Sequence, residues 1–389
     1  MLFLDTILQA YGWEGLALAG LILLLLGVQL YYYLFRYGAI PGYKITRQEQ
    51  RQENTPPVSV VIAMYGEDYD FAERRLPMLL AQQQTIFEVV LVYVGSDRDF
   101  FEDLQHIRKH FPQLVLTKIE QNPHSPISPK QALNVGIKSA HYEHLILSTT
   151  DTIPQSDRWI SLMAKGFTRG EVVLGYCGME YGEDSPRGGA GYLMRSSRLF
   201  RSVRWISSAI AGHPYRGIRH SMGFTKSLYF SQRSGFGYLN MEGGEDDLFL
   251  QQVMTRKNTV VVLAPRATVR ERIWGGMGWW LGQLRHEQST RSHYPSWVGP
   301  SINWEMGSRL LLLASVVMAL VVMPLEYKLA ALLLWLIREV VVMVEIRRIA
   351  NRLGEPSIWL RYPLYDLWAP LETLCVALIS LRRKPRAWK

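Results

Sequence analysis

Four short runs of apolar, mostly β-branched residues alternate with segments of helical spacing in the first half of the chain. The runs lie at 58–63, 88–94, 114–118 and 144–147, with helical patterns between them at 71–83, 100–111 and 130–140. Each run has the length and composition of a buried strand. Strands that alternate with helices are typical of parallel βαβ units with right-handed crossovers. We therefore predict an α/β domain of Rossmann-like type, with a mostly parallel sheet and helices on both faces.

Polar residues follow the predicted strands, at the edge of the sheet where α/β folds bind ligands. The candidate site segments are 65–68, 95–97 and 149–152. Asp151, in the stretch LILSTTDTIP, is the first candidate for holding a metal ion against a phosphate-bearing substrate. The alternative is that Asp151 only caps a turn before Pro154, since Asp beside Thr and Pro is common turn chemistry.

The periodic pattern is lost over residues 178–240, which are rich in Gly, Ser, Arg and aromatic residues. We expect helices and loops that cover the site there, and no second sheet. Short strands are predicted on either side, at 171–176 and 260–263. Three basic residues of this region either bind a phosphate of a substrate or form a solvated basic face: Arg216, Arg219 and His220.

A second acidic motif, GGEDDLFL, follows this region. Glu245, Asp246 and Asp247 run directly into an apolar helix start. Carboxylates favour the first turn of a helix, so capping explains one or two of these acids. It explains three adjacent acids less well, so capping does not account for the whole motif.

Hydrophobic segments at both ends of the chain indicate a multi-pass membrane protein. Residues 15–35 are apolar except for Gln29 and are long enough to cross a bilayer. They lack the basic start and the small-residue cleavage site of a signal peptide. Basic residues follow them, so the N-terminus is expected outside and the rest in the cytoplasm. Further spans are predicted at 307–324 and 329–346, and an interfacial segment near 274–300.

Residues 363–381 form a last hydrophobic segment, which carries Asp366, Pro370 and Glu372 and precedes a basic tail. A span here would place that tail outside, against the positive-inside rule, so we expect a re-entrant or in-plane segment. The resulting domains are an anchor at 1–37, a cytoplasmic linker at 38–55, a catalytic domain at 56–300 and a membrane region at 301–389.

Ionisable residues also lie in or at the end of the predicted 329–346 span, namely Arg338, Glu339 and Glu345. Such residues face a partner or a polar cavity. An Arg–Glu pair that only holds helices together is the favoured reading.

The charge balance favours a membrane surface over nucleic acid as the partner. There are 43 Lys and Arg against 34 Asp and Glu, a net charge of +9. Basic residues beside hydrophobic runs more often face anionic lipid, and the soluble part has no zinc-finger spacing and no single basic helix. The two cysteines, Cys177 and Cys375, imply no disulfide framework, which fits a reducing compartment.

Five motifs occur in a fixed order over residues 56–294: VSVVIAMYGED, EVVLVYVGSD, PKQALNVGIKSA, LSTTDTIP and GGEDDLFL. Together they resemble the family 2 glycosyltransferases of the GT-A fold. The QLRH segment and the flanking hydrophobic helices resemble the membrane-bound bacterial members. The resemblance implies a nucleotide-sugar donor, a divalent cation (Mg²⁺ or Mn²⁺) and a catalytic domain on the cytoplasmic face of the inner membrane.

The same resemblance implies roles for individual residues. Asp151 takes the place of the second metal-binding aspartate of the family. Asp246 takes the place of the catalytic base, with Glu245 and Asp247 as its neighbours. The implied donor-binding residues are Tyr65, Glu67, Asp97, Lys130, Asn134, Thr149, Thr150, Gln283, Arg285 and His286.

The chain departs from the family pattern at several of these positions. The family usually has acids where this chain has Tyr93 and Val94, and the first aspartate of its DxD motif is Thr149 here. The metal site has therefore lost charge. The family's QxxRW segment is reduced to QxRH, with no tryptophan after it.

These features predict the inverting transfer of a sugar to a hydroxyl of a lipid or lipid-linked glycan. A carboxylate base and one direct displacement invert the anomeric centre, and hydrophobic segments bracket the catalytic domain. A processive polysaccharide synthase subunit ranks lower, since three or four hydrophobic segments are too few for a channel. A catalytically impaired nucleotide-sugar-binding scaffold would explain the departures but has no need of a base. A transporter fails on the large soluble domain and the lack of repeated spans.

Overall fold

The computed structural model of the protein describes residues 2–44, 55–84, 86–121, 127–182, 185, 188–231, 248–355 and 357–382. Its strands, in chain order, are β1 (Val58–Tyr65), β2 (Phe87–Val94), β3 (Leu114–Ile119), β4 (His144–Ser148), β5 (Thr152–Pro154), β6 (Val172–Leu174), β7 (Cys177–Tyr181), β8 (Met222–Thr225), β9 (Thr259–Val261) and β10 (Val269–Ile273).

The described helices alternate with these strands and flank them at both ends. In chain order they are α1 (Leu2–Tyr31), α2 (Ala39–Gly42), α3 (Leu76–Leu80), α4 (Arg98–His110), α5 (Pro129–Ser139), α6 (Trp159–Gly166), α7 (Gly189–Ile210), α8 (Lys226–Ser231), α9 (Leu248–Val253), α10 (Met277–Ser289), α11 (Val298–Val322), α12 (Leu325–Arg352) and α13 (Tyr362–Arg382). Two π-helical turns, Tyr32–Tyr37 and Phe71–Arg75, complete them.

The larger sheet has seven strands in the order β3-β2-β1-β4-β8-β6-β9. The β1–β2, β2–β3, β1–β4 and β6–β9 pairs are parallel, whereas β8 runs antiparallel to both neighbours. The chain moves outward from β1 through β2 and β3 and then returns to the other side of β1. This reversal creates a switch point between β1 and β4, where open α/β sheets bind their ligands.

The four predicted strands are confirmed as β1 to β4, and their observed ends differ from the predicted ones by at most two residues. Their side chains form the buried core, as the continuous apolar runs indicated. Helix α5 packs closely on this sheet. A Cβ atom on its Gly136 would lie 2.6 Å from Val61 Cγ1 and 3.0 Å from Val92 Cγ2, so only glycine allows this approach.

A second, three-stranded sheet has the order β5-β10-β7. The prediction that 178–240 contributes no second sheet is therefore wrong, since β7 reaches into that region and β8 within it joins the larger sheet. Neither an alternation of apolar and polar residues nor a helical spacing marks these strands in the sequence, because polar and charged side chains are buried in them. In β10, Arg270 and Glu271 are both about 5% exposed, and each is paired with an oppositely charged side chain. The predicted helix at 71–83 also ends early, at Leu80.

Two helical segments are long and apolar enough to cross a membrane, Gly12–Gly42 and Val298–Val322. Helices α11 and α12 are joined by only two residues and pack against each other and against α1. Helix α13 contains Pro370 and packs against α11 and α12, and also against α7 and α10 of the α/β part.

Candidate functional site

The loop after β1 turns at the switch point. Gly66 has a φ of +70°, which favours glycine, and its N–H donates to Val94 O at 3.0 Å. Glu67 follows and accepts a hydrogen bond from the Tyr93 hydroxyl at 3.0 Å. Burial first, and then this contact, raise the pKa of Tyr93 to about 12. The raised pKa favours the protonated phenol that donates to Glu67.

Arg75 ties the loop after β1 to the loop after β4. Its buried guanidinium donates to Thr150 O at 2.7 Å, to Asp70 Oδ2 at 2.8 Å and to Asp68 Oδ1 at 3.2 Å. Asp68 and Asp70 orient the Arg75 side chain, which in turn binds the backbone carbonyl next to Asp151. These contacts fix the position of Asp151 at the sheet edge.

Asp151 is an ionised, largely covered carboxylate with 20% of its side chain exposed. The Thr149 hydroxyl donates to its Oδ1, and His220 Nε2 lies 3.4 Å from the same oxygen. Burial alone would raise the pKa of Asp151, but His220, Thr149 and Arg219 outweigh it and hold the pKa well below its usual range. A turn is present here, since Thr152 N donates to Thr149 O at 3.2 Å. The hydrogen bond that Asp151 Oδ1 accepts comes from the Thr149 hydroxyl, so this turn does not decide between the two readings of Asp151.

His220 is the feature that best fits a cation site. It is 4% exposed, and neither ring nitrogen makes a hydrogen bond with any described residue. Its Nε2 lies 3.8 Å from Glu271 Oε2, so carboxylates approach it from two sides. The ligating atoms of Cys177, His220 and Glu271 all lie within 4.8 Å of one another. Unsatisfied buried nitrogen beside carboxylate oxygen is costly without a bound partner.

The chemistry of this cluster favours a hard divalent cation held by oxygen and nitrogen. Cys177 offers a soft sulfur ligand, which hard cations such as Mg²⁺ and Mn²⁺ bind less readily than oxygen. Of this group, His220 and Glu271 remain, and Asp151 adds a carboxylate oxygen 3.4 Å from His220 Nε2. Together these three side chains offer a donor set compatible with Mn²⁺ or Mg²⁺. Glu271 also accepts from Arg198.

A cavity of about 550 Å³, the α10 chamber, opens beside this cluster. It brings together residues that are far apart in the sequence. The stretch before β8 and helix α10 contribute six predicted site residues to its walls: Arg216, Arg219, His220, Gln283, Arg285 and His286. Four arginines and two histidines line this space, against the two carboxylates of Glu271 and Glu287, and His220 connects it to Asp151. The excess of basic groups suits an anionic ligand near a cation.

For the basic residues Arg216, Arg219 and His220, the alternative prediction was a solvated basic face. Only Arg219 fits it. Arg219 is exposed, but His220 is buried and the Arg216 side chain is only 15% exposed. Arg216 Nη1 donates to Glu287 Oε2 at 2.9 Å. The two covered residues therefore belong to the chamber wall.

Other predicted residues lie elsewhere. Asp97 caps α4 by accepting from Phe100 N at 2.7 Å. On α5, Lys130 is buried and Asn134 is half-buried. The α10 chamber is not lined by Tyr65, Glu67, Asp97, Lys130 or Asn134. Glu245, Asp246 and Asp247 lie outside the described residues, so their approach to Asp151 stays a prediction.

The sequence reasoning missed Arg75, Arg198, Glu271 and Glu287, which hold the predicted residues in place. Arg75 lies in a helical stretch, where a charged residue predicts a solvated face. Arg198 and Glu271 lie in α7 and β10, where no periodicity marks them as buried. Only the alternation of charge in VRERI, at β10, could have drawn attention to Glu271.

Neither a protein-family model nor a curated protein matches this sequence. Among solved structures, the chain is similar to the mannosyltransferase PcManGT from Pyrobaculum calidifontis in complex with GDP-Man and Mn²⁺. The two are 15% identical, the match covers 90% of this chain and 99% of that one, and the TM-score is 0.52. At this identity the likeness shows a shared fold. The α/β architecture described here is thus one that a glycosyltransferase uses.

Proposed function

We propose that the protein transfers a sugar from a nucleotide-diphosphate sugar to an acceptor hydroxyl, as a GT-A-type, family 2 glycosyltransferase. The observation that carries the proposal is the cluster of Asp151, His220 and Glu271 at the mouth of the basic α10 chamber. A cation site beside arginines and histidines suits a diphosphate. The shared fold with a mannosyltransferase solved with GDP-Man and Mn²⁺ supports the same reading.

Departure of the nucleoside diphosphate leaves negative charge at the sheet edge. Arg285 and His286, which line the chamber, are placed to receive that charge. A divalent cation bound by Asp151, His220 and Glu271 would supply Lewis-acid stabilisation of the diphosphate. Asp246 is proposed to remove the acceptor proton, and a single displacement would invert the anomeric centre. The remaining implied donor contacts, from Tyr65 to Thr150, stay proposals.

The acceptor is proposed to be a lipid or lipid-linked glycan at the cytoplasmic face of a bacterial inner membrane. Two helices long and apolar enough to span support this location. We keep the proposed domains: the anchor at 1–37, the linker at 38–55, the catalytic domain at 56–300 and the membrane region at 301–389. In this arrangement the chamber faces the cytoplasm, where nucleotide sugars are made.

One alternative keeps a specific observation in its favour. Thr149 and Tyr93 replace acids of the family, as expected for a scaffold that binds nucleotide sugars without turnover. His220 and Glu271 argue against it, because they offer ligands in place of the missing acid. A processive synthase has no comparable observation in its support.

The testing experiment is a donor screen with the purified protein in detergent, Mn²⁺ and a lipid extract. UDP-, GDP- and dTDP-sugars are compared for release of nucleoside diphosphate. We expect one donor to be consumed, with at least a ~100-fold loss in Asp151→Asn, since about 3 kcal/mol of charge stabilisation disappears. Asp103→Asn, an exposed change on α4, should leave the rate unchanged. Full activity in excess EDTA would contradict the metal-dependent form of the proposal.

The base is tested by Asp246→Asn in the same assay. We expect transfer to fall to background while donor affinity, measured by calorimetry, changes by less than about twofold, because the base acts only on the acceptor. A variant with wild-type transfer would remove Asp246 from the mechanism. A wild-type protein that binds a donor but never consumes it would establish the scaffold instead.

A further inference from the structure

A second cavity of about 630 Å³ adjoins the α10 chamber. Arg216 and Glu287 line both spaces and form the wall between them. We name the second space the arginine chamber, after the four arginines in its lining: Arg201, Arg204, Arg216 and Arg291. The proposed function assigns no role to this space.

Positive charge exceeds negative charge in the arginine chamber. Glu287 is the carboxylate in its lining, and it is shared by Arg216 at 2.9 Å and Arg201 at 3.5 Å. Arg204 pairs with Glu305 of α11 at 3.0 Å. The Nε atoms of Arg201 and Arg204 are buried and make no hydrogen bond with a described residue.

Arg291 shows the consequence of this excess charge. Burial first, and then the neighbouring Arg204 and Arg201, lower the pKa of its guanidinium. The hydrogen-bond acceptors that the structure gives it are neutral: Asn303 Oδ1 at 2.6 Å, Gly299 O at 3.4 Å and Gln288 Oε1 at 3.5 Å. A phosphoryl group bound here would relieve the repulsion and would accept from guanidinium groups in their preferred geometry.

The rest of the lining combines three polar residues, Gln288, Asn303 and Thr373, with an apolar part that comes partly from α11 and α13. Ile302 belongs to α11, one of the two helices able to span a membrane, and Val376 and Ala377 belong to α13. Trp205 and Tyr294 add aromatic surface. A ligand that contacts both the basic and the apolar part of the lining has a phosphoryl group joined to a hydrocarbon chain, as in a phospholipid or an isoprenoid phosphate. A free nucleotide would leave the apolar half without a partner.

We propose that the arginine chamber binds the phosphoryl headgroup of a membrane lipid and holds it beside the α10 chamber. Naming this lipid as the sugar acceptor rests on the proposed function, whereas the binding itself does not. The shared wall of Arg216 and Glu287 then separates an acceptor space from a donor space.

The test uses the full-length protein in phosphatidylcholine nanodiscs, with empty nanodiscs subtracting partition into lipid. Farnesyl phosphate, farnesol and inorganic phosphate are titrated by calorimetry. We expect farnesyl phosphate to bind at least about tenfold more tightly than the other two probes. Arg291→Gln and Arg201→Gln should each weaken it by about tenfold or more, as expected for one charge-assisted hydrogen bond. Arg108→Gln, exposed on α4, is the matched control and should bind like the wild type.

Each other outcome counts against a stated part of the proposal. Equal binding of inorganic phosphate would identify a soluble anion as the ligand, and equal binding of farnesol would show that the phosphoryl group is not recognised. Thermal unfolding midpoints identify a variant that fails to fold. If one arginine variant fails, the binding of farnesyl phosphate to the other tests the proposal. Nucleoside diphosphate binding with Mn²⁺ is measured on the same samples. If nucleotides bind and farnesyl phosphate does not, only this inference falls; the reverse result overturns only the proposed function.

Discussion

Glu287 lines both cavities, and three arginines lie against its carboxylate. Arg216 and Arg201 approach Oε2 at 2.9 and 3.5 Å, and Arg198 approaches Oε1 at 3.6 Å. Burial alone would raise the pKa of Glu287, but these three guanidinium groups hold it well below its usual range. The lowered pKa favours the ionised form of Glu287 at neutral pH. Removing its charge would leave the arginines to repel one another.

We expect Glu287→Gln to destabilise the protein by about 3 kcal/mol at neutral pH, the usual cost of breaking a buried ion pair. Because the folded pKa is lowered, the contribution is complete above the ordinary glutamate pKa of about 4.3 and is lost as the pH falls below it. Thermal unfolding in detergent at pH 8, 4 and 2 measures this, with exposed Glu102→Gln as control. A loss that is the same at every pH would show that the effect is packing, not charge.

Residue types at the site were predictable where a motif or a strand end marked them. Asp151, Gln283, Arg285 and the basic stretch around His220 were chosen from the sequence, and the structure places several of them around one cavity. Glu271 was not, because its importance follows from burial against His220 across two sheets. Pairing over such distances leaves no periodic trace in a single sequence.

Polar side chains connect the helices at the two ends of the chain. Arg338 of α12 bonds to Gln29 of α1 at 2.8 Å, to Glu339 and to Asp366 of α13. Arg309 of α11 also reaches Asp366, at 3.1 Å. Four helices thus meet at one buried ionic cluster. The sequence favoured an Arg–Glu pair that holds helices together, but the Arg338–Glu339 pair lies within α12. The links between helices are those from Arg338 to Asp366 and to Gln29.

This cluster predicts a strong coupling between α12 and α13. Asp366→Asn should cost about 3–5 kcal/mol, since it leaves two buried arginines short of a carboxylate. The double variant Arg338→Met/Asp366→Asn should be more stable than the sum of the two single losses predicts. Unfolding midpoints of the four proteins complete the cycle. Strict additivity would show that the two side chains act independently.

Elements formed by apolar β-branched runs were predictable, and elements built on buried charge were not. The strands β1 to β4 follow directly from such runs. The strands β7 and β10 contain Glu180, Arg270 and Glu271, whose hydropathy indicates surface. Tertiary pairing of these charges overrides local pattern, so no single-sequence period reveals the smaller sheet.

At the scale of the molecule, α13 is held against the α/β part after Pro370. Glu372 accepts hydrogen bonds from Ser197 of α7 at 2.7 Å and from Trp280 of α10 at 3.0 Å. Val376 packs with Trp280 and Leu284. A helix that crossed the membrane would carry these residues away from the catalytic domain. The contacts support the proposed re-entrant or in-plane placement of 363–381.

This placement predicts that the basic tail is cytoplasmic. A phosphatase and a fluorescent reporter, each fused after Lys389, distinguish the two sides. We expect fluorescence and no phosphatase activity, because in-plane placement keeps the tail on the side of the α10 chamber. A fusion after Arg36 serves as the cytoplasmic reference. Phosphatase activity at Lys389 would require one more crossing than the proposed topology contains.

The central claim is that a cation and a diphosphate meet at the switch point between β1 and β4. Crystals of the protein with Mn²⁺ and the nucleoside diphosphate of the active donor test it through anomalous scattering from manganese. We expect one strong peak within bonding distance of Asp151, on the side of His220 and Glu271, with the diphosphate extending into the α10 chamber. A manganese peak or a diphosphate bound away from Asp151 would contradict the account.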